Sequence, residues 1–124
     1  MVSAVVVDLD GTLFSSGTTV SERSIAALEA CSKAGVKIVV ATVRPYLSVK
    51  HQLDIRLHEG SRWICSNGAT IYEGDQCIYE DAMPADIAKE VISLLESSCQ
   101  ILSVSVLGWV GRSIAVVSAM VTSS

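Results

Sequence analysis

The sequence is short of basic residues and has no metal-binding cysteine pair. Nine lysines and arginines stand against 13 acidic residues, which gives a net charge of -4. Nucleic-acid binding usually needs a basic stripe, so we expect no nucleic-acid partner. The cysteines form no Cys-x-x-Cys pair and have no histidine pair nearby; they are Cys31, Cys65, Cys77 and Cys99. This spacing argues against a zinc site and a disulfide framework, and reduced thiols predict a cytoplasmic protein.

The apolar runs are interrupted where a targeting or membrane segment would need them to continue. Asp8 and Asp10 fall inside the stretch where the apolar region of a signal peptide should lie, so we expect no such peptide. Residues 101–121 are long enough to span a bilayer, but Arg112 lies near their midpoint. A charge there costs about 2.5–3.5 kcal/mol. Serines also alternate with apolar residues over 102–106, which is typical of a strand, and we predict no membrane segment.

The first part of the chain alternates strands with helices. Half of all residues are apolar and only 18% are charged, as in a globular domain. Periodicity predicts strands over 2–7, 36–42 and 62–66, the first of them buried, and helices over 21–34 and from Pro45 onward. Ser21 is a suitable N-cap and Gly35 a suitable residue just after the helix. This order predicts an α/β fold with a Rossmann-like core, in which helices flank a parallel sheet.

The pattern changes near residue 80. Glu73-Gly74-Asp75 separates two short apolar runs, 69–72 and 76–79, and predicts a β-hairpin. An amphipathic helix over 84–97 and two strands turning at 108–111 should follow. We interpret residues 1–80 as a core domain and residues 81–124 as the beginning of a second, α+β module. Unpaired apolar strands in 101–121 would favour self-association.

Polar residues follow each of the three predicted parallel strands. They are Asp8 and Asp10, then Thr42 and Arg44, and finally Ser66, Asn67 and Gly68. Ligands of open parallel α/β sheets bind beyond the carboxyl ends of the strands. If the three strands are neighbours, these groups converge on one crevice.

The residue types in this crevice suit phosphoryl transfer. An aspartate can attack phosphorus and form an acyl phosphate. A second carboxylate can protonate the leaving group and later activate water, provided that its neighbour raises its pKa. Paired carboxylates also attract Mg²⁺, which binds one or two carboxylates together with substrate oxygens. Thr42 and the amides around Gly11 can donate hydrogen bonds to a phosphoryl group.

Three motifs, in this order, resemble the haloacid dehalogenase superfamily. DLDGTLF at 8–14 resembles its first motif, Asp-x-Asp-Gly-Thr-Leu. ATVRP at 41–45 resembles the second motif of the Cof-type sugar-phosphatase branch, usually Ala-Thr-Gly-Arg-Pro, and SNGA at 66–69 resembles the next landmark of that branch. The predicted hairpin lies where such proteins lead into an α/β cap. The similarity extends from residue 1 to about residue 97.

The resemblance implies a role for each matching position. Asp8 would be the nucleophile and a Mg²⁺ ligand, and Asp10 would be the general acid/base and offer its backbone carbonyl to the metal. Thr42 would hold the transferring phosphoryl group, while Arg44 and Asn67 would lie on the substrate side of the crevice. The remaining predicted phosphate- and substrate-binding positions are Gly11, Thr12 and Gly68.

The sequence departs from the family pattern in two respects. Val43 replaces the usual glycine and would be strained if the position needs a positive φ. The superfamily also uses a later lysine and a Gly-Asp-x-x-x-Asp pair, yet after Glu96 the only charged residue is Arg112. We therefore expect the chain to be the front part of such a protein and nearly inert in phosphate release. Substrate identity would depend on the cap.

Three classes of function remain open from the sequence. The first is a Mg²⁺-dependent phosphohydrolase acting on a small phosphorylated metabolite such as a sugar phosphate. The second is a non-catalytic fragment or module that binds a phosphate ligand or associates with itself. The third, a nucleotide-binding domain of another lineage, lacks both a Gly-x-Gly-x-x-Gly and a P-loop.

Several of these residues also have an explanation that involves no function. A calcium loop at Asp8 would need glycine sixth and glutamate twelfth, but glycine is fourth and Thr19 is twelfth. Asn67-Gly68 is as readily a turn signal as a substrate contact, and an ordinary β-branched strand end is the weaker alternative for Thr42. Four further side chains are expected to be ordinary solvated groups: Lys50, His51, His58 and Lys89.

Overall fold

The computed structural model describes residues 1–98, 100–110 and 113–122. Cys99, Arg112 and the last residue of the predicted turn, Gly111, lie outside these ranges. The chain divides into two compact units, Met1–Glu80 and Asp81–Ser124. The cysteines that the structure describes as free are Cys31, Cys65 and Cys77.

The first unit is built on a five-stranded sheet. Its strands in chain order are β1 (Ala4–Val7), β2 (Phe14–Ser16), β3 (Thr19–Val20), β4 (Lys37–Ala41), β5 (Ser61–Cys65), β6 (Thr70–Glu73) and β7 (Gln76–Glu80). The sheet order is β1-β4-β5-β6-β7, while β2 and β3 form a small separate hairpin. Strands β1, β4 and β5 are parallel, and β6 and β7 continue the sheet as an antiparallel hairpin. The predicted parallel sheet and hairpin are confirmed.

Two helices of the first unit contribute to its core. Helix α1 spans Glu22–Lys33, and Ser21 caps it by accepting a hydrogen bond from the Ser24 N–H at 3.1 Å. Helix α2 spans Tyr46–Gln52 and is followed by a 3-10 turn at Ile55–Leu57. The apolar side chains of both helices pack with the buried face of β4 and β5; this cluster includes Ile25, Leu28, Ile38, Val40, Tyr46, Val49, Leu53, Leu57 and Trp63.

Strand β1 is less buried than its valine-rich sequence predicts. Among the described residues it pairs only with β4, so it lies at an end of the sheet. Val6 is 64% exposed, and Val5 and Val7 are only partly buried. The prediction of a buried strand is therefore wrong here, because burial of a parallel strand needs neighbours on both sides and cover on both faces.

The second unit holds helix α3 (Ala85–Ser98) and two long strands, β8 (Gln100–Val110) and β9 (Ser113–Thr122). The strands pair with each other in antiparallel order, and α3 contacts both. The predicted helix and strand pair are confirmed, but the predicted turn is wrong over residues 108–110, which belong to β8. We expected unpaired strands in this region, whereas β8 and β9 pair with each other. No helix within the described ranges is both long and apolar enough to cross a membrane.

A charge cluster joins the 3-10 turn to α1. The Arg56 guanidinium donates to Glu22 at 2.8 and 2.9 Å and to Asp54 at 2.9 and 3.0 Å. The Asp54 carboxylate also accepts the Arg56 backbone N–H at 3.0 Å. These hydrogen bonds from Arg56 lower the pKa of Asp54 from 3.8 to about 2 and also lower the pKa of Glu22.

Asp54 should make stability pH-dependent below pH 4. A carboxyl group whose pKa is depressed on folding stabilises the fold above its unfolded pKa of about 3.9. That contribution is lost as pH falls through the folded pKa of about 2. Between these values we expect the thermal midpoint of Asp54→Asn to fall less with pH than that of the wild type, measured by circular dichroism. Asp81→Asn is the control, and a wild-type slope in Asp54→Asn would contradict the prediction.

Candidate active site

The loop after β1 is anchored by one buried side chain between two exposed carboxylates. Leu9 is 0% exposed, while Asp8 and Asp10 are both exposed. The Leu9 carbonyl accepts the Phe14 N–H at 2.8 Å and the Thr12 N–H at 3.3 Å. Gly11 supplies the positive φ, +72°, that this tight turn requires. The loop thus turns back on the core and leaves both carboxylates accessible.

Several of the predicted site residues line one cleft at the carboxyl ends of β1, β4 and β5. It has a volume of about 360 Å³ and is lined by Asp8, Ala41, Thr42, Val43, Ile64, Asn67 and Gly68. Four of these are predicted site residues: Asp8, Thr42, Asn67 and Gly68. The other four are not among the lining residues: Asp10 and Arg44 bind each other, and Gly11 and Thr12 lie exposed in the turn after Asp10.

Asp10 is held by Arg44 in a two-point contact. Arg44 Nε donates to Asp10 Oδ2 at 2.8 Å, and Nη2 donates to Oδ1 at 2.6 Å. Arg44 also donates to the Gln52 side-chain oxygen and lies over the Phe14 ring, 5.6 Å from its centroid. The guanidinium therefore has partners on three segments: the β1 loop, β2 and α2.

This contact contradicts our expectation for the acid/base pKa. The hydrogen bonds that Arg44 donates to Asp10 lower the pKa of Asp10 and raise the pKa of Arg44. We expected a neighbouring carboxylate to raise the pKa of Asp10. Arg44 decides the direction of the pKa shift because its guanidinium is in direct contact with Asp10 and is charged at every relevant pH. In this arrangement Asp10 is ionised and can accept a proton but not donate one.

Two backbone hydrogen bonds hold the loop that follows β4. The Asn67 N–H donates to the Thr42 carbonyl at 3.3 Å, and the Ser66 N–H donates to the Arg44 carbonyl at 2.9 Å. The Thr42 hydroxyl accepts the Arg44 N–H at 3.1 Å, so its own proton can be donated elsewhere. Thr42 is 6% exposed. A phosphoryl oxygen in the cleft would meet a fixed hydroxyl donor.

Backbone strain lies in the loop after β5 and not at Val43. Among the described non-glycine residues, positive φ values occur at Ser66, +52°, and Asn67, +57°. Val43 is not one of them, so the expected strain at that position is absent. A left-handed non-glycine residue costs about 1–3 kcal/mol. The strained pair, Ser66 and Asn67, supplies the two backbone amides that hold the Thr42–Arg44 loop. In the sequence, the Asn-Gly dipeptide indicated a turn at this place.

Two buried serines, Ser61 in β5 and Ser66 in the loop after it, should respond oppositely to replacement by alanine. Within the described residues the Ser66 hydroxyl has no hydrogen-bond partner, whereas the Ser61 hydroxyl donates to the Leu57 carbonyl and accepts the Trp63 indole N–H at 2.7 Å. Ser61→Ala leaves two buried groups unpaired and should lower the free energy of unfolding by about 1–3 kcal/mol. Ser66→Ala removes a hydroxyl that is buried without a partner, and it should raise the free energy of unfolding by about 1 kcal/mol.

Urea denaturation of the two variants and the wild type measures both changes. Ser61→Ala is the matched control for Ser66→Ala, since both replace a serine that is at most 6% exposed. A loss of stability in Ser66→Ala as large as that in Ser61→Ala would mean that the Ser66 hydroxyl is satisfied after all.

A second cluster ties the β6–β7 hairpin to α2, and the sequence did not reveal it. Asp75, at the hairpin turn, accepts the Tyr46 hydroxyl at 2.6 Å and the Lys50 ammonium at 2.7 Å. Tyr46 stacks on Tyr72 with ring centroids 3.8 Å apart. Lys50 is thus an ion-pair partner and not simply solvated. It lowers the pKa of Asp75, while burial raises the pKa of Tyr46.

His58 also differs from expectation. Its Nε2 lies 2.9 Å from the Leu53 carbonyl oxygen, and its ring meets Trp63 edge-on at 4.9 Å between centroids. The side chain is half-buried and structural. His51 and Lys89 are exposed, as predicted.

Few of the side chains that the structure describes are placed to bind a metal ion. In the part of the chain that the structure describes, no three His, Cys, Asp or Glu residues come together as a metal-binding group. Asp8 offers one exposed carboxylate in the cleft, while the Asp10 carboxylate is engaged by Arg44. Mg²⁺ commonly binds to one or two carboxylates plus substrate phosphates. Asp8 therefore fits Mg²⁺ that arrives with a phosphoryl ligand better than Mg²⁺ alone.

Comparisons with known proteins agree on one family. Residues 5–120 match the family described as haloacid dehalogenase-like hydrolase. BT1666 from Bacteroides thetaiotaomicron, one of the phosphatases of the haloalkanoate (HAD) enzyme superfamily, is 31% identical with a TM-score of 0.65 over 78% of this chain and 36% of that chain. TM0651 from Thermotoga maritima is 25% identical with a TM-score of 0.68, over 82% of this chain and 38% of that one.

A haloacid dehalogenase-like hydrolase from B. subtilis is also 25% identical, with a TM-score of 0.68 over 89% of this chain and 40% of that chain. No curated protein matches. This chain therefore spans 36–40% of the length of these three solved structures.

Proposed function

We propose that the cleft of this chain, which belongs to the haloacid dehalogenase-like hydrolase family, is the active site of a phosphohydrolase. The enzyme would depend on Mg²⁺ and belong to the Cof-type sugar-phosphatase branch. The substrate would be a small phosphorylated metabolite, such as a sugar phosphate, and the reaction would pass through an aspartyl phosphate. One observation carries this proposal: the exposed Asp8 lines the same cleft as the buried Thr42 and the strained Asn67.

In the first step, an Asp8 carboxylate oxygen attacks phosphorus while the bond from phosphorus to the ester oxygen breaks. The leaving oxygen takes a proton from Asp10, and the Thr42 hydroxyl donates to a phosphoryl oxygen. In the second step, Asp10 takes a proton from water as the water oxygen attacks phosphorus. The bond to Asp8 then breaks, which releases phosphate and restores the carboxylate.

The Arg44 contact gives these two steps different requirements. As described above, Asp10 is ionised and bound to Arg44, which suits the second step. For the first step it must carry a proton, and a protonated carboxyl group binds a guanidinium far less strongly. The first step therefore requires Arg44 to release Asp10, and a bound phosphate ester is an anion that could take up the freed guanidinium.

Asp8 and the backbone carbonyl of Asp10 would hold the Mg²⁺. When bound, the ion neutralises charge on the phosphoryl oxygens and so favours attack by an anionic carboxylate. The family's later lysine and acidic pair have no counterpart in this sequence, so we expect p-nitrophenyl phosphate hydrolysis by this chain to be near background. A cytoplasmic location and self-association through β8 and β9 also stay predictions.

A binding experiment tests the proposal without requiring turnover. Beryllofluoride is titrated into the full chain with MgCl₂, and calorimetry gives the affinity while backbone amide NMR shifts locate the site. We expect saturable binding that needs both components and shifts at Asp8, Thr42 and Asn67. Unmoved amides at these three residues would count against the proposal.

A non-catalytic phosphate-binding module is the second candidate. It is favoured because the Asp10 carboxylate already forms an ion pair with Arg44. Both candidates bind phosphate ligands, but only an enzyme transfers the phosphoryl group to Asp8. Mass spectrometry after incubation with acetyl phosphate and acid quenching separates them. A phosphorylated peptide containing Asp8 supports the enzyme, and its absence together with ligand binding supports the module.

A further inference from the structure

The cleft around Asp8 has an apolar side. Three of its lining residues, Ala41, Val43 and Ile64, carry only hydrocarbon side chains. Val43 is 59% exposed and is one of the large apolar residues that the fold leaves in solvent. A bound phosphate ester would place its organic group beside some part of this lining, since the phosphoryl group itself must approach Asp8.

Val43 is a rigid part of this apolar side. Its two neighbours are fixed, because the Thr42 carbonyl accepts the Asn67 N–H and the Arg44 carbonyl accepts the Ser66 N–H. A β-branched side chain also has few χ1 rotamers. The φ of Val43 is not positive, so the valine is accommodated without strain. The glycine usual at this position in the Cof-type motif would present no side chain at all.

These features point to a substrate preference, and we propose that Val43 is a specificity-determining residue. It would favour phosphate monoesters with an apolar or aromatic group next to the phosphate over polyhydroxylated sugar phosphates. The inference rests on the proposed function: it keeps the class of small phosphorylated metabolites but disfavours the sugar phosphate given there as an example. Hydroxyl groups beside Ala41, Val43 and Ile64 would lose water without gaining hydrogen-bond partners, whereas an aromatic ring would gain from burial.

The test compares dissociation constants for two ligands of the full chain. Phenyl phosphate and glucose 6-phosphate are each titrated with MgCl₂ and followed by the backbone amide shifts of Asp8, Thr42 and Asn67. We expect phenyl phosphate to bind about tenfold more tightly, the lower end of what a few apolar contacts can discriminate. Inorganic phosphate is titrated in parallel as the probe for the phosphoryl site alone.

Val43→Thr is the decisive variant, because threonine keeps the shape and branching of valine but replaces a methyl group with a hydroxyl. It should bring the ratio of the two dissociation constants close to one. Val2→Thr makes the same change at a residue that is 65% exposed and does not line the cleft, and it should keep the wild-type ratio.

The outcomes separate this inference from the proposed function. Equal affinities in the wild type, or a ratio that Val43→Thr leaves unchanged, would overturn the role of Val43 while the phosphate site stands. If none of the three phosphate compounds shifts the cleft amides, the proposed function fails, and the role of Val43 fails with it.

Discussion

Asp8→Asn should weaken the joint binding of Mg²⁺ and beryllofluoride by about a hundredfold or more. Loss of a group that only supports a metal ligand lowers metal affinity by about 10–100-fold, and loss of a direct ligand should lower it at least as much. Asparagine has nearly the shape of aspartate but lacks the charge, and its amide cannot take the place of the carboxylate oxygen that beryllofluoride coordinates. Since Asp8 is exposed at the cleft, its replacement should leave the fold intact.

Calorimetry on the wild type and the variant measures this loss, and thermal unfolding checks the fold. Asp54→Asn is the matched control, since it removes the same charge from a residue that contacts Arg56 and does not line the cleft. It should bind as the wild type does. Removal of Mg²⁺ with a chelator should abolish beryllofluoride binding in the wild type. Equal affinities in wild type and Asp8→Asn would show that the ligand binds elsewhere.

Leu9→Ala should destabilise the first unit by about 2–5 kcal/mol, the usual cost of removing a buried leucine side chain. Leu9 is 0% exposed and belongs to the core cluster, although it stands between two exposed aspartates. Its side chain anchors the loop whose backbone carries Asp8 and Asp10. Because the whole stability of a domain is about 5–15 kcal/mol, this single change removes a large share of it.

Urea denaturation gives the change in the free energy of unfolding. Leu47→Ala is the matched control: Leu47 lies in α2 and is 65% exposed, so its loss should change stability by no more than about 0.5 kcal/mol. Similar losses for the two variants would mean that Leu9 does not anchor the loop. We also expect Leu9→Ala to weaken beryllofluoride binding, because a loosened loop no longer presents both carboxylates in one place.

The amino-acid sequence alone determined the features that depend on neighbours along the chain. Capping of α1 by Ser21 and the turn at Gly11 depend on local hydrogen bonds and on the φ preferences of single residues. Strand and helix periodicity predicted the parallel strands and the hairpin. Placement of Asp8, Thr42 and Asn67 at one edge followed from the rule that parallel strands end on the same side of a sheet.

Only the tertiary structure decided which side chains meet across the fold. Arg44 binds Asp10 from 34 positions away, and Asp75 binds Tyr46 from 29 positions away. Such contacts depend on strand order, register and rotamers, which no local pattern encodes. The same reason explains the exposure of β1 and the location of strain at Ser66 and Asn67. Burial and backbone conformation at these residues are decided by what the rest of the fold places beside them.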